Sequence, residues 1–501
     1  MHMGRGSLRT AALALLVVGF GATVLSACTK NGATLARPDE AVVLQGSALP
    51  KLLGSDPMHV VGFAWNGSIW VQVPVQVDQR DEVNPGKIFN RPLASYATLP
   101  GGAPYTLLVY TNPQTASPGY SWTPTYTGVA SHSGLGNVDE VSFLASDTGQ
   151  VAPVSAGAPP NVVASTREQV RATDPLQSNQ SGVVYLFHSD TLTGGGAGTT
   201  GVHYTFNLTS GDYMATYKMG TASQAPNNVA GPNPETSTVV TPGYTQHFGD
   251  RWLNDGITIT RGGSTGQNIL ERSRVQVTSA GCSRTEDTFD DVVPSSPYEG
   301  AFIVNISGPV RAIRSHIGTN SGTYTTSTDI FYPTREDSST ELRVHSIPGV
   351  SVFEDLATSA TGMTYFDDQN SSGFAIDGVP DTPVMNHAAP WQMVSGAQGS
   401  LVTAREVQTD IVGLTMSTYY LDQNPASTHP CTGDAAAWGQ HGTTVVGPGG
   451  SLPCTDPTLC AAANVLDSTR TRYFRKPALP VSTASNLAAQ AASPLQTTVT
   501  G

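Results

Sequence analysis

The run Ile69-Trp70-Val71-Gln72-Val73-Pro74-Val75-Gln76-Val77 alternates at a period of two, and that period recurs along the chain where a helical one does not. Val71, Val73, Val75 and Val77 share one face of an extended strand, and Pro74 places it at an edge or bulge. The Asn66-Gly67 pair just before it is a strong hairpin signal, joining it to the strand-like Val60 to Trp65. Similar runs continue through Val183 to Phe187, Ile257 to Thr260, Phe302 to Ile306, Val350 to Phe353, Ser400 to Thr403 and Leu414 to Tyr420. Heptads and internal repeats are missing, and there is almost no amphipathic helix longer than about two turns. Only 13% of the residues are charged, while 52 are Gly and 35 Pro, a composition for short strands and turns. The expected fold is therefore all-β: antiparallel sandwiches, with no crossover helices to build a parallel sheet.

The 501 residues suffice for more than one core. A Pro-, Ala- and polar-rich stretch at 152–181 suggests a boundary between a smaller N-terminal β domain (42–151) and a large sandwich (182–425). Residues 426–501 then read as a loop region and tail. A net charge of -13 disfavours nucleic acid, which needs clustered Lys and Arg to neutralise phosphates.

Arg5 and Arg9 precede the apolar run Ala11 to Val24, the order of a secretory signal and too short for a resident membrane helix. Leu25-Ser26-Ala27-Cys28 resembles the lipobox of bacterial lipoproteins. That resemblance implies removal of 1–27, diacylation of Cys28, a tether over 28–41, and an extracytoplasmic protein whose membrane partner is engaged through its N-terminal lipid. In an oxidising compartment the other cysteines tend to pair. A bridge from Cys431 to Cys454 or to Cys460 is expected, because the Gly- and Pro-rich segment around them has few apolar residues to hold it.

Candidate chemistry centres on two Arg-x-His pairs, Arg314/His316 and Arg343/His345. On extended chain each pair shares a face and would set a fixed cation beside a group that titrates near neutrality, the alternative being a solvated strand face with the arginines bonded to Asp337, Glu341 or Glu354. With Gly308-Pro309-Val310-Arg311 entering a strand ahead of them, the region 182–420 resembles the β-supersandwich of mutarotase-like and polysaccharide-lyase-associated domains. The resemblance implies a polysaccharide partner, Arg314 and Arg343 on a uronate carboxylate, His316 or His345 as base or acid, and Tyr324 or Tyr332 as proton donor. Trp70 to Asp78 also resembles a Pro-Val-Gln-Val-Asp string found near the start of large secreted bacterial proteins, a likeness that assigns no activity.

Trp122 and Tyr126 share a face with Tyr120, as a sugar-stacking platform would need, and Trp391 lies in a loop placed to rim a cleft. Asp368, Asn370 and Ser372, followed by Gly373, match the first half of an oxygen-ligand calcium loop, which makes calcium the candidate cofactor. Val379 stands where the closing Glu belongs, so an ordinary Asp-Asn-Gly turn competes with that reading. The function expected is that of a membrane-anchored carbohydrate-active protein, a polysaccharide lyase or glycoside hydrolase. A non-catalytic surface lipoprotein with a structural, adhesive or glycan-binding role is the alternative.

Overall fold

The computed structural model describes residues 31–38, 40–88, 105–115, 118–207, 235–249, 253–261, 264–278, 300–318, 324–425 and 436–501. The leader, Cys28, Cys282 and Cys431 lie outside them. The described chain is a stack of antiparallel sheets, as the period-two runs predict.

A ten-stranded sheet runs, in spatial order, through Phe374–Ala375, Thr364–Asp367, Trp391–Gly396, Gly399–Thr409, Leu466–Arg475, Arg335–Glu341, Thr326–Phe331, Ala312–Gly318, Gly300–Ser307 and Ser121–Thr123. A nine-stranded sheet includes Tyr244–Gly249, Leu253–Arg261, Leu270–Val277, Gly349–Leu356, Ala437–Val446 and Thr415–Gln423. Tyr244, Ile257, Leu270, Phe331, Leu356, Leu401 and Phe474 form a shared core between the two. Burying such aromatic and branched side chains contributes about 1.5–3 kcal/mol each and drives the faces together.

A second, smaller sandwich precedes it. Glu168–Asp174, Gln177–His188, Val60–Trp65 and Trp70–Val73 form a five-stranded sheet with Gln496–Thr500, opposed by a three-stranded one of Ala41–Gln45, Glu140–Leu144 and Gln76–Asp78. Pro74 sits where the alternating run leaves one sheet for the other, since it has no N–H to extend the ladder. Val73, Val75 and Val77 continue the buried face across that corner.

The two strings singled out by resemblance meet here. Gln76 Oε1 accepts the backbone N–H groups of Val310 and Arg311 at 3.0 and 2.9 Å. The Arg311 guanidinium donates to Asp78 Oδ2 through Nε (2.9 Å) and Nη2 (2.7 Å), and to Glu140 Oε2 at 2.7 Å. Gln-x-Asp thus clasps Gly-Pro-Val-Arg and ties the small sandwich to the large one. Gly308 lies under the Gln76 amide, where an added Cβ would stand 2.3 Å from its oxygen. We therefore expect Gly308→Ala to destabilise by about 1–3 kcal/mol, read as a lower urea midpoint at unchanged slope. An unchanged midpoint would mean that the clasp contributes little.

Several boundaries fall elsewhere than expected. Gln177–His188 pairs with Val60–Trp65 on one side and with Glu168–Asp174 on the other, so residues beyond 151 complete the small sandwich instead of separating it from the large one. Region 426–501 is not a loop and tail: Ala437–Val446 and Leu466–Arg475 are interior strands of the two large sheets. Gln496–Thr500 returns to pair with Glu168–Asp174. Between them Val481–Ala492 is a helix, Ala-rich and with Ala484, Leu487 and Ala488 buried on one face. The observed disulfide joins Cys454 to Cys460, not Cys431 to Cys454; a six-residue separation brings these two thiols together with little loop to close.

Candidate functional site

Cross-strand register lines up polar side chains across the inner face of the ten-stranded sheet. Arg405 stands opposite Arg470, Arg470 opposite Ser338, Ser338 opposite Asp329, and Asp329 opposite Arg314. Two residues along, Arg472 stands opposite Glu336. Between this face and the nine-stranded sheet lies a cavity of ≈ 140 Å³. The polar side chains lining it include His316, Asp329, Ser338, Arg405, Arg470 and Asn254, and the apolar ones Val275, Leu342, Val350, Val407, Val445 and Leu466.

Most of the buried charge here is matched. Arg472 is fully buried, with Nε 2.7 Å and Nη2 2.6 Å from Glu354 Oε1, and Nη1 3.2 Å from Glu336 Oε2. Glu354 belongs to the nine-stranded sheet, so this guanidinium bridges the layers. His441 Nε2 lies 3.1 Å from the other Glu354 oxygen. Burial pushes the Glu354 carboxyl up, and Arg472 with His441 more than reverses this, holding it well below the usual carboxylate range. Arg470 donates to Ser338 Oγ (2.9 Å), Glu336 Oε1 (3.2 Å) and Ser273 Oγ (3.2 Å).

Arg405 is the exception. Its Nε and Nη2 are buried without a hydrogen-bond partner, and among the described residues it has no ion pair. Directly across the ladder is another cation, Arg470, and like charges so placed repel. Burial lowers the Arg405 pKa to about 10, with Arg470 and Arg472 pushing the same way against Glu354. A buried cation with no partner is costly, and an entering anion would complete it.

Asp329 has the opposite perturbation. Burial and then the Glu336 carboxylate push its pKa up, while Arg472 and Arg470 override burial to keep Glu336 ionised. Ser338 Oγ lies 2.6 Å from Asp329 Oδ1 and 2.9 Å from Glu336 Oε1. One hydroxyl proton cannot serve both carboxylates. Both contacts become hydrogen bonds when Asp329 carries a proton and donates to Ser338, which donates on to Glu336. Two carboxyls pushed apart in this way mark the proton-carrying one as a candidate acid.

No protein-family model matches the chain, and no curated protein does. Weak likenesses to solved structures include a putative aldose 1-epimerase from Escherichia coli K12, at 10% identity and TM-score 0.25, covering 48% of this chain and 98% of that one. An α-mannosidase from Enterococcus faecalis V583 matches at 11% and 0.27, over 90% of this chain and 47% of that one. A glycosyl hydrolase family 38 protein from Enterococcus faecalis matches at 11% and 0.28, over 92% and 49%. The chain thus spans about half the length of the latter two.

The two Arg-x-His pairs do not make one site. His316 lines the cavity, but burial and then Arg314 lower its pKa to about 3, so it stays neutral where it was expected to titrate. Arg314 is spent on Glu235, 2.6 and 2.9 Å from its two oxygens, between the Phe248 and Phe302 rings. Leu342 faces the cavity, so Arg343 beside it turns outward to Glu341 (3.1 Å) and Asp467 (3.6 Å). His345 Nδ1 lies 2.9 Å from the Ser346 carbonyl.

Tyr324 packs edge-on to Tyr105 in a separate core, and Tyr332 is buried with its hydroxyl 3.3 Å from Arg311. Trp122 packs against that same core from the edge strand Ser121–Thr123, while Tyr126 is half-buried beyond it; Tyr120 is held by hydrogen bonds to the Val77 backbone, so no open platform forms. Trp391 is buried beneath the helix Val481–Ala492, which removes it from any rim. Asn370 is committed to the loop itself: its amide reaches both Asp367 oxygens and the Val384 carbonyl, and its oxygen accepts the Val384 N–H. Ser372 is exposed. Sequence reading missed Arg405, Arg470, Arg472 and Asp329, although the period-two arginines in Ser468-Thr469-Arg470-Thr471-Arg472 were a usable signal of charge on one strand face.

Proposed function

We propose that this is an exported carbohydrate-active protein that receives an anionic sugar unit in the cavity between its two large sheets. The observation that carries this reading is Arg405, a half-buried guanidinium whose Nε and Nη2 are buried without a hydrogen-bond partner and which has no ion pair among the described residues, set against a second arginine in a cavity lined by both apolar and polar side chains. Sugar rings present C–H faces beside hydroxyls, which suits such a two-toned wall. At ≈ 140 Å³ the space is smaller than the roughly 300–1,000 Å³ of pockets that enclose drug-sized ligands, so it suits one ring or one chain end.

In this reading Arg405 holds the carboxylate by paired N–H donors and Asp329, which carries a proton, delivers it. A carboxylate neutralised by a guanidinium acidifies the adjoining C–H, the starting condition for elimination by a lyase. Hydrolysis would instead use the Asp329 proton on the leaving oxygen. Anchoring through Cys28 and a polysaccharide partner belong to the same proposal, and the Cys454–Cys460 bond suits an oxidising, extracytoplasmic setting.

The test is incubation with acidic and neutral oligosaccharides, scoring new reducing ends and unsaturated products. Turnover is expected on acidic substrates and should fall as pH rises through the elevated Asp329 pKa. Asp329→Asn should reduce kcat by at least about 100-fold with substrate still bound. Binding without turnover, unchanged in Asp329→Asn, would favour the glycan-binding role, and no affinity for any anionic sugar would remove both.

A further inference from the structure

A second cluster stands apart from the residues lining the cavity. Asp367 ends the strand Thr364–Asp367, Asp368 follows it, and His387 arrives from the loop whose backbone is pinned where Thr418 N–H donates to the His387 carbonyl at 2.7 Å. The His387 side chain is only 10% exposed, yet both ring nitrogens are buried without a hydrogen-bond partner. Its Nε2 faces two carboxylates, 3.2 Å from Asp368 Oδ1 and 3.5 Å from Asp367 Oδ1, in directions that make no hydrogen bond.

We propose that Asp367, Asp368 and His387 bind a divalent transition-metal ion of the zinc class. One ligand atom from each residue lies within 4.8 Å of the others. Donors about 2.0–2.1 Å from a tetrahedral centre stand roughly 3.3 Å apart, and the two measured separations bracket that value. Asp367 is held in place by its neighbours: Oδ2 accepts from Tyr365 OH (2.9 Å) and Asn370 Nδ2 (2.8 Å), and Oδ1 from the Gln369 and Asn370 N–H groups (2.9 and 2.8 Å) and from Asn370 Nδ2 (3.0 Å), the last being the contact a metal at Oδ1 would displace. Asp368 is 35% exposed, which leaves a coordination position for water or ligand. An imidazole donor and three protein ligands suit zinc better than calcium, which takes six to eight oxygens at about 2.3–2.6 Å.

The inference does not rest on the proposed carbohydrate role. It is tested by stripping the purified protein with a chelator and titrating Zn²⁺ and Ca²⁺ calorimetrically. The expected result is one Zn²⁺ per chain bound at least about 100-fold more tightly than Ca²⁺, with affinity falling by at least about 100-fold in His387→Ala. Asp368→Asn, at a partly exposed position that folding tolerates, should weaken Zn²⁺ by about 10-fold or more. No saturable Zn²⁺ binding, equal affinity for Ca²⁺, or unchanged Zn²⁺ binding in either variant would overturn the assignment.

Discussion

Replacing Arg405 with Met is expected to make the protein more stable and to abolish its affinity for anionic sugars. The arginine's pKa of about 10, against an ordinary 12.5, is a measure of how much the fold disfavours its charge. At ~1.4 kcal/mol per unit the penalty is on the order of 3 kcal/mol, partly offset by packing of the side-chain stem. A base whose folded pKa is lowered carries that penalty at every pH below it, so the gain should be constant from pH 5 to 8. We expect about 1–3 kcal/mol, seen as a Tm higher by a few degrees. Natural sites commonly keep such a cost where binding needs it. A lower Tm, or undiminished binding, would show that Arg405 is satisfied by the protein alone.

Arg472→Met should have the opposite effect and a larger one. This guanidinium is fully buried between Glu336 and Glu354 and joins the two large sheets, so its loss leaves Glu354 out of water without its guanidinium and Glu336 with Arg470 as its remaining cation. Breaking such a pair typically costs about 3–5 kcal/mol. The pH dependence has a definite sign. In the native protein the Glu354 carboxyl is held well below its usual range, so its contribution is present above the ordinary carboxylate pKa and lost as pH falls through the lowered one. Without Arg472 burial dominates, the carboxyls protonate more readily than in the unfolded chain, and the penalty is greatest at neutral pH. Urea denaturation should therefore separate mutant and native protein most at pH 7 and less near pH 4.5. A gap that widens on acidification would contradict the bridge.

What could be read from sequence, and what could not, follows from range. Local pattern was sufficient for Asn66-Gly67, whose side-chain oxygen accepts the Ser68 and Ile69 N–H groups in the observed turn, and for the alternation of Val73, Val75 and Val77. Pro74 marked an irregularity, but that it turns the chain from one sheet into another depends on partners far away. The pairing of Arg405 with Arg470, and of Gln496–Thr500 with Glu168–Asp174, joins segments distant in sequence whose own residues give no hint of register. Arg314 shows the same limit. It does share a face with His316, as the extended-chain rule requires, but Glu235 answers its charge. Whether an arginine is free or paired is a property of the opposite sheet, and so the pattern points to Arg314, four strands from Arg405 in the ten-stranded sheet.

The most direct test of the central claim is calorimetric titration of glucuronate and glucose, which differ in one carboxylate, into native protein and Arg405→Met. Native protein is expected to prefer glucuronate by at least about 100-fold, and the variant to lose this preference. Equal affinity for the two sugars, or a preference that survives in Arg405→Met, would contradict that claim.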